Sequence, residues 1–508
     1  MAGNKEAFFD HLEREFTAIT FDELTIQNER PSDLDWRDVD LSSKFSRNIS
    51  AKVPILTSPM TTITESEMGI AAAKEGGGGV IHHANTPDEQ KKQVRKVKLH
   101  LNGIIEEPIT VNATDTIGEV QETLDSQGFD FRTLPVTDEN GRFVGLMTNT
   151  HFTLFRGKGV AFPVSEAMTP AKDIFTAPSS MKDSPERAYE LMQQHKIKLL
   201  PLLTEDKRLD SLYLLDDVLR VVEGNPEGYN LDDNGRLRTF MSVSTYDQDA
   251  IERVKLSGKY LDLVVIDTSH GESKYSFSTL KALKVARKLV KNLREEFATI
   301  DIMVGNVSDP AVAAALAKEG PDAIRVGRGP GGICISREKL GGGTPQASAI
   351  YACNRAVQVI DPGIVICGDG GVRGPGDFIK ALAVNASSIM VGSYVAGTDE
   401  AAASVMTRAD GSRYKEYNGM GSAKEQQHSR AARSRYDVAG GSEDELFVEG
   451  VEKEIPLQGP VSRKFRELAR GARVEMCTGG FSNIAVLQSE VDLRRVTAAG
   501  AQEGRASS

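Results

Sequence analysis

Seven short apolar runs punctuate the chain, and each stops at a polar or glycine-rich turn: "KVPILTSPM" (52–60), "GGVIHHANTP" (78–87), "LDLVVIDTSHG" (261–271), "TIDIMVGNVSDP" (299–310), "DAIRVGRGPGG" (322–332), "GIVICGDGG" (363–371) and "SSIMVGSYVAG" (387–397). Near-continuous Val/Ile/Leu runs of this length describe strands buried on both faces, as parallel strands are. Parallel neighbours need crossovers. Helical patterns such as "DPAVAAALAKEG" (309–320) lie between many of the runs, here with Asp309 placed as N-cap and Pro310 in the first helical position. Strands of this kind, with Ser58, Asp267, Asn306, Asp369 and Ser393 just past their C-terminal ends, predict an α/β fold, a (β/α)8 TIM barrel whose site is built from those loops. A doubly wound open sheet is the alternative.

The regular pattern stops between about Gly103 and Gly224. Two halves of similar order occupy this stretch, each with a Thr/Ser-containing turn, an amphipathic helix, a Leu-Pro strand ("TLPVTDE", "LLPLLTE") and a closing strand that leads into a helix. A twofold repeat of this length describes a small paired module inserted at 104–223, with the barrel built from 1–103 and 224–508. From Lys415 to Glu449 the chain is polar and rich in Gly, Ser, Arg and Gln, and reads either as a disordered excursion or as a functional flap. The final "AAGAQEGRASS" reads as a loose tail.

A net charge of -11 over 508 residues argues against an overall field that attracts nucleic acid or anionic membrane, and points to small-molecule partners. No run approaches a membrane span, and the start "MAGNKEAFFDHLEREF" is too charged for a secretory signal, so a cytoplasmic location is expected. Four cysteines without a short paired spacing make neither a disulfide framework nor a zinc pattern. Cys353, Cys367 and Cys477 read as packing residues, whereas Cys334 alone falls in a loop.

That loop belongs to "VGRGPGGICISREKLGGGTPQ" (326–346), which holds seven glycines around one thiol. Glycines let backbone pass close to a ligand, bind it through main-chain groups, or move. A thiolate is a strong nucleophile, and successive amides of "GRGPGGIC" form a nest for phosphate. "GDGG" and "VGSYVAG" supply further amides of the kind barrels use for phosphate in their last loops. Asp369 and Asp267 are acceptors for ribose hydroxyls, and two such acids suggest two nucleotides.

These pieces fall in one order in a known family. The motifs "TSPMTTITESEMGIAAAKEGGGGVIHHANTPDEQ", "IDTSHG", "GPGGICIS…GGGTPQ", "GDGGVRGPGD", "IMVGSYVAGT", "YNGMGS", "SRYD" and "EGVEKEIP" closely resemble the IMP dehydrogenase/GMP reductase family over nearly the whole chain, its IMP dehydrogenases above all. The repeat, with "VSEAMTP" opening its second half, resembles a tandem pair of cystathionine-β-synthase-type (CBS) modules. The resemblance implies NAD-dependent oxidation of IMP to XMP, with Cys334 attacking carbon 2 of the base. It puts the substrate on Ser58, Arg325, Gly332, Asp369, Gly370, Gly371, Gly392, Ser393, Tyr417, Asn418, Gly419, Met420, Gly421 and Glu449. NAD contacts fall on Asp267, Thr268, Ser269, Asn306, Gly327, Arg328 and Gly329. The hydrolytic pair falls on Arg435 and Tyr436, and since arginine is a poor base, a bound water that loses its proton as attack proceeds is implied, with Ser336 as a second path. Potassium is implied at Gly329, Gly331 and Cys334 together with Glu503, Gly504 and Arg505 of a neighbouring subunit, and with it a homotetramer. Adenine or guanine nucleotides are expected at the paired modules.

The sequence departs from the family in places. The usual serine before "IC" is Gly332, the usual threonine two residues past the cysteine is Ser336, the aspartate often found after "SPM" is Thr61, and the tail matches in part. GMP reductase shares the barrel and the cysteine but releases ammonia and needs no hydrolytic flap, which makes it the alternative function; a non-catalytic nucleotide sensor is the second.

Overall fold

The seven apolar runs form strands of one sheet, joined by an eighth: β1 Ile55–Thr57, β2 Gly78–Ile81, β3 Phe240–Val243, β4 Leu263–Asp267, β5 Asp301–Val307, β6 Ala323–Val326, β7 Val365–Asp369 and β8 Ser388–Val391. All neighbours are parallel, and β8 returns to β1 through Ile389↔Ile55 and Met390↔Leu56, so the sheet closes into a (β/α)8 barrel and the open-sheet alternative falls. The computed structural model describes residues 3–27, 32–101, 103–105, 108–126, 133–155, 161–182, 184–222, 226–245, 247–268, 271, 273–293, 300–428 and 448–504. Crossover helices start where the sequence signals place them. In α1, Pro310–Lys318, the Asp309 side chain accepts from the amides of Ala311 and Val312, with Pro310 in the first turn.

The barrel interior is divided along its axis. Phe240, Leu263 and Ala323, the first residues of β3, β4 and β6, are fully buried with Phe45, Leu56, Val80, Met303 and Met390 in one apolar cluster. The rings of Phe45 and Phe240 meet edge to face at 5.5 Å. The N-terminal end thus has an apolar filling, edged by buried polar contacts such as those of Ser46 and Asn48 with Asp301 and of Lys98 with Asp262; the polar groups that face an open cleft are at the C-terminal ends of the strands.

Residues Leu99–Asn225 form a second compact unit. It contains two four-stranded sheets, each over its own apolar core. One sheet takes Val111–Asn112, Leu134–Thr137, Phe143–Met147 and Thr169–Pro170; the other takes Ala177–Pro178, Leu199–Leu203 and Leu209–Leu214, and is completed by Ile104–Ile105 from the start of the unit.

Two expectations are corrected. The excursion from Lys415 begins as regular structure, because β9 Val405–Thr407, β10 Arg413–Asn418 and β11 Glu452–Pro456 form an antiparallel sheet. The loose tail contains a helix, Ala498–Glu503, whose first turn is capped by the Thr497 side chain accepting from the Gly500 amide. Among the described residues, no helix is long and apolar enough to cross a membrane.

Phe240→Ala is expected to lower the unfolding free energy by about 3–5 kcal/mol, since the ring is fully buried; denaturant unfolding of the purified protein measures it.

Candidate active site

Four successive strands each deliver one polar group to the C-terminal rim: Asp267 from β4, Asn306 from β5, Arg325 from β6 and Asp369 from β7. Arg325 is 1% exposed. A guanidinium so buried needs charged partners, and it pairs with the Asp267 carboxylate while its Nε lies 3.8 Å from Asp369 Oδ2. The Asn306 amide donates to the same Asp369 oxygen at 2.6 Å and to the Gly327 carbonyl at 2.7 Å. Side chains from four strands thereby fix where the following turns begin.

Those turns form the walls. After β7, Gly370 and Gly371 adopt φ of +82° and +83°, a conformation that glycine reaches without strain. A Cβ on Gly370 would stand 3.2 Å from the Gly331 amide nitrogen, so the turns after β6 and β7 press together through main chain. Gly392 and Ser393 follow β8. Between the turns opens a cleft that reaches solvent.

Cys334 lies in this cleft on the loop after β6. Its amide donates to the Gly331 carbonyl at 3.0 Å, and its Sγ is 3.1 Å from Ser336 Oγ. The loop is also tied to residues 449–453, which lead into β11. Val451 N–H donates to the Ile333 carbonyl and Ile335 N–H to the Glu449 carbonyl, both at 2.9 Å, while Lys453 Nζ donates to the Gly332 carbonyl at 2.7 Å. Tyr417, on β10, is buried in the cleft; burial pushes its phenol well above the usual range, and the Asp369 carboxylate pushes the same way, so it stays a neutral hydroxyl.

The cleft wall brings together most of the residues singled out from the sequence. Ser58 comes from β1's turn, Asn306, Arg325, Gly327, Arg328, Gly329, Gly331, Gly332, Cys334 and Ser336 from β5, β6 and the loop beyond, and Asp369, Gly370, Gly371, Gly392 and Ser393 from β7 and β8. Tyr417, Gly419, Met420, Gly421 and Glu449 close the opposite side. Three stand behind the wall: Asn418 is buried next to Tyr417, Asp267 is buried against Arg325, and Thr268 exchanges main-chain hydrogen bonds with Gly305 and Asn306. Glu503 and Gly504 sit at the tail helix and do not line the cleft. Ser269, Arg435, Tyr436 and Arg505 lie outside the described residues. Sequence reasoning misses the apolar part of the wall, including Met60, Ile333, Val372 and Met390. The available signal is adjacency, since each is within two residues of a candidate.

A closed parallel barrel with an open cleft among the turns at its C-terminal rim has the layout of the (β/α)8 barrel enzymes. Comparison with known proteins narrows this. Residues 18–507 match the model of the IMP dehydrogenase / GMP reductase domain. Inosine-5'-monophosphate dehydrogenase of Helicobacter pylori is 34% identical over 486 residues, covering 96% of this chain and 95% of the relative. That of Aquifex aeolicus is 34% identical over 487 residues, covering 96% and 94%. A cysteine-to-alanine variant of GMP reductase from Trypanosoma brucei, solved with guanosine 5'-monophosphate, superposes with a TM-score of 0.79 at 30% identity and covers 96% of this chain and 98% of its own. The same reductase solved with guanosine 5'-triphosphate gives a TM-score of 0.71 at 28% identity, covering 95% and 98%. The chain belongs to the IMP dehydrogenase/GMP reductase family, a family of oxidoreductases.

Thiol reactivity follows from the burial. Cys353 and Cys367 are enclosed, and desolvation pushes both thiols up to about 12, so they remain protonated at neutral pH. Brief treatment with iodoacetamide at pH 7.5 is expected to label Cys334 ahead of both, as read by peptide mass mapping; earlier labelling of Cys367 would show the barrel interior to be open.

Proposed function

We propose that the protein oxidises IMP to XMP, with NAD as hydride acceptor and water as the source of the new oxygen. The observation that carries this reading is the position of Cys334, on a loop that shares one cleft with the glycine turns after β7 and β8. Amides of Gly332, Gly370, Gly371, Gly392 and Ser393, with the neutral hydroxyl of Tyr417, take the phosphate. Asp369 accepts from the ribose hydroxyls. Gly419, Met420, Gly421 and Glu449 hold the base over the sulfur, with Ser58, Asn418 and Arg325 supporting this side.

The Cys334 sulfur adds to carbon 2, whose hydrogen then leaves with its electron pair, and the restored C=N bond makes a thioimidate on the enzyme. NAD, when bound, supplies the acceptor for that hydride. Its site fits the residues present: Asn306 Oδ1 is buried in the cleft wall with no hydrogen-bond partner among the described residues, an acceptor suited to a carboxamide N–H, beside the turn Gly327, Arg328 and Gly329. Asp267 and Thr268 back that side from behind the wall, Asp267 through its pairing with Arg325, and Ser269 follows them in the chain. Water activated by Arg435 and Tyr436, with Ser336 as a second route, adds to carbon 2; the carbon–sulfur bond breaks and the thiol is recovered. One IMP, one NAD and one water give XMP, NADH and a proton.

The second reading is GMP reductase, favoured by the likeness to the trypanosomal reductase structures. The "SRYD" segment of the flap, which that reaction does not need, supports the dehydrogenase. Assays with IMP and NAD, and separately with GMP and NADPH, decide between them. NADH formation in the first mixture is expected, and Cys334→Ala should reduce it at least about a thousandfold while IMP binding persists; turnover in the second mixture alone would transfer the assignment to the reductase.

Two dependences complete the proposal. Potassium is held by the carbonyls of Gly329, Gly331 and Cys334 with Glu503, Gly504 and Arg505 of a neighbouring copy in a homotetramer; the Gly331 carbonyl, which already accepts the Cys334 amide, keeps a second lone pair for the ion. The unit Leu99–Asn225 is a tandem CBS module that takes adenine or guanine nucleotides. Replacing potassium with lithium should slow turnover, and ATP or GTP should shift the melting temperature or the oligomer size; neither response occurring would remove both additions.

A further inference from the structure

The second glycine cluster, "GGGTPQ", has no part in the cradle just described, yet it is joined to the cysteine loop through one side chain. Arg337 stands in the short helix α2, Ser336–Leu340, immediately past Cys334 and Ser336. Its Nε donates to the Arg328 carbonyl at 2.8 Å and its terminal nitrogen to the Thr344 carbonyl, so the guanidinium spans the turn before the cysteine and the loop after the helix. The stem runs between two glycines. A Cβ on Gly329 would be 2.5 Å from Arg337 Cγ, and a Cβ on Gly343 would be 3.3 Å from Cγ and 3.0 Å from the Arg328 carbonyl oxygen. Both positions also have left-handed φ, +81° and +117°. Glycine here makes room for an arginine.

The group is half-buried, and among the described residues it pairs with no carboxylate. Its charge is therefore committed to two main-chain oxygens, a task that suits a planar fork and that a lysine meets only in part. We propose that Arg337 is a positioning residue, which stitches the two glycine-rich loops together and so sets the place of the Cys334 sulfur within the cleft. The inference deepens the reading of Cys334 as nucleophile and rests on it. Four of the five phosphate amides come from the turns after β7 and β8, and only that of Gly332 from the loop after β6 that carries the sulfur, so loosening the stitch should weaken nucleotide binding little and misplace the attacking atom. Small misplacements at a reacting centre are costly in rate.

The test uses the full-length enzyme and three variants. Arg337→Met is expected to lower kcat about thirtyfold with the KM for IMP changed less than about threefold, and Arg337→Lys to recover part of kcat. Gly343→Ala, which leaves the charge intact, should lower kcat in the same manner. Combined with Arg337→Met it should add less than about threefold, because both changes undo the same contact. Iodoacetamide labelling of Cys334, which needs no turnover, should change at least about threefold in rate in Arg337→Met and again in Gly343→Ala. If kcat and labelling rate in the folded variants match the parent, or if the two substitutions multiply independently, the stitch is refuted. If the parent shows neither IMP oxidation nor GMP reduction while labelling still responds to both substitutions, the functional reading fails and the stitch stands.

Discussion

Arg325 is the interaction on which the site depends. It is a full positive charge enclosed by protein, held by Asp267 and Asp369 with Asn306 bridging to the Gly327 carbonyl. Removing one partner from such a group leaves an uncompensated charge, at a cost of about 3–5 kcal/mol. The arrangement therefore tolerates little displacement of β4, β5, β6 or β7. Since the turns that line the cleft start from these strand ends, the buried charge holds the walls in register.

The barrel separates stability from chemistry along its axis. Apolar residues from β3, β4 and β6 fill the N-terminal end, where Phe45 and Phe240 meet. The other end is held by hydrogen bonds and ion pairs around a cleft that reaches solvent, which leaves no room for a continuous apolar core. Cys334 depends on both: its strand is anchored by the core, while its loop is held by main-chain bonds to Gly331, Glu449 and Val451 and by the side chains of Arg337 and Lys453.

Much of this arrangement is legible in the sequence because buried parallel strands have few other ways to be written. Seven strands carry nearly continuous Val/Ile/Leu runs. The eighth, "FMSV", does not read as a strand, since Ser242 interrupts it; its hydroxyl lies against His83 Nδ1 at 2.9 Å, a partner 159 residues away. The sheet of β9, β10 and β11 is hidden for another reason, because β9 is wholly exposed and β11 nearly so and neither carries apolar alternation. Candidate site residues can be named from glycine turns and strand-end acids, but not their pairings. Asp267 reads as a free acceptor until Arg325, 58 residues later, is brought against it. Arg337 reads as one more charge in "SREKL", and only the folded loops reveal what its fork holds.

The return strand beside the cysteine loop is attached through main-chain groups at Glu449 and Val451. Backbone bonds of this kind are indifferent to side-chain identity but sensitive to spacing. Drift of the residue at 451 among non-proline types should be tolerated over evolutionary time. A one-residue insertion or deletion between 448 and 452 would instead slip the pairing and carry the sulfur with it, so length, more than composition, is the inherited quantity there.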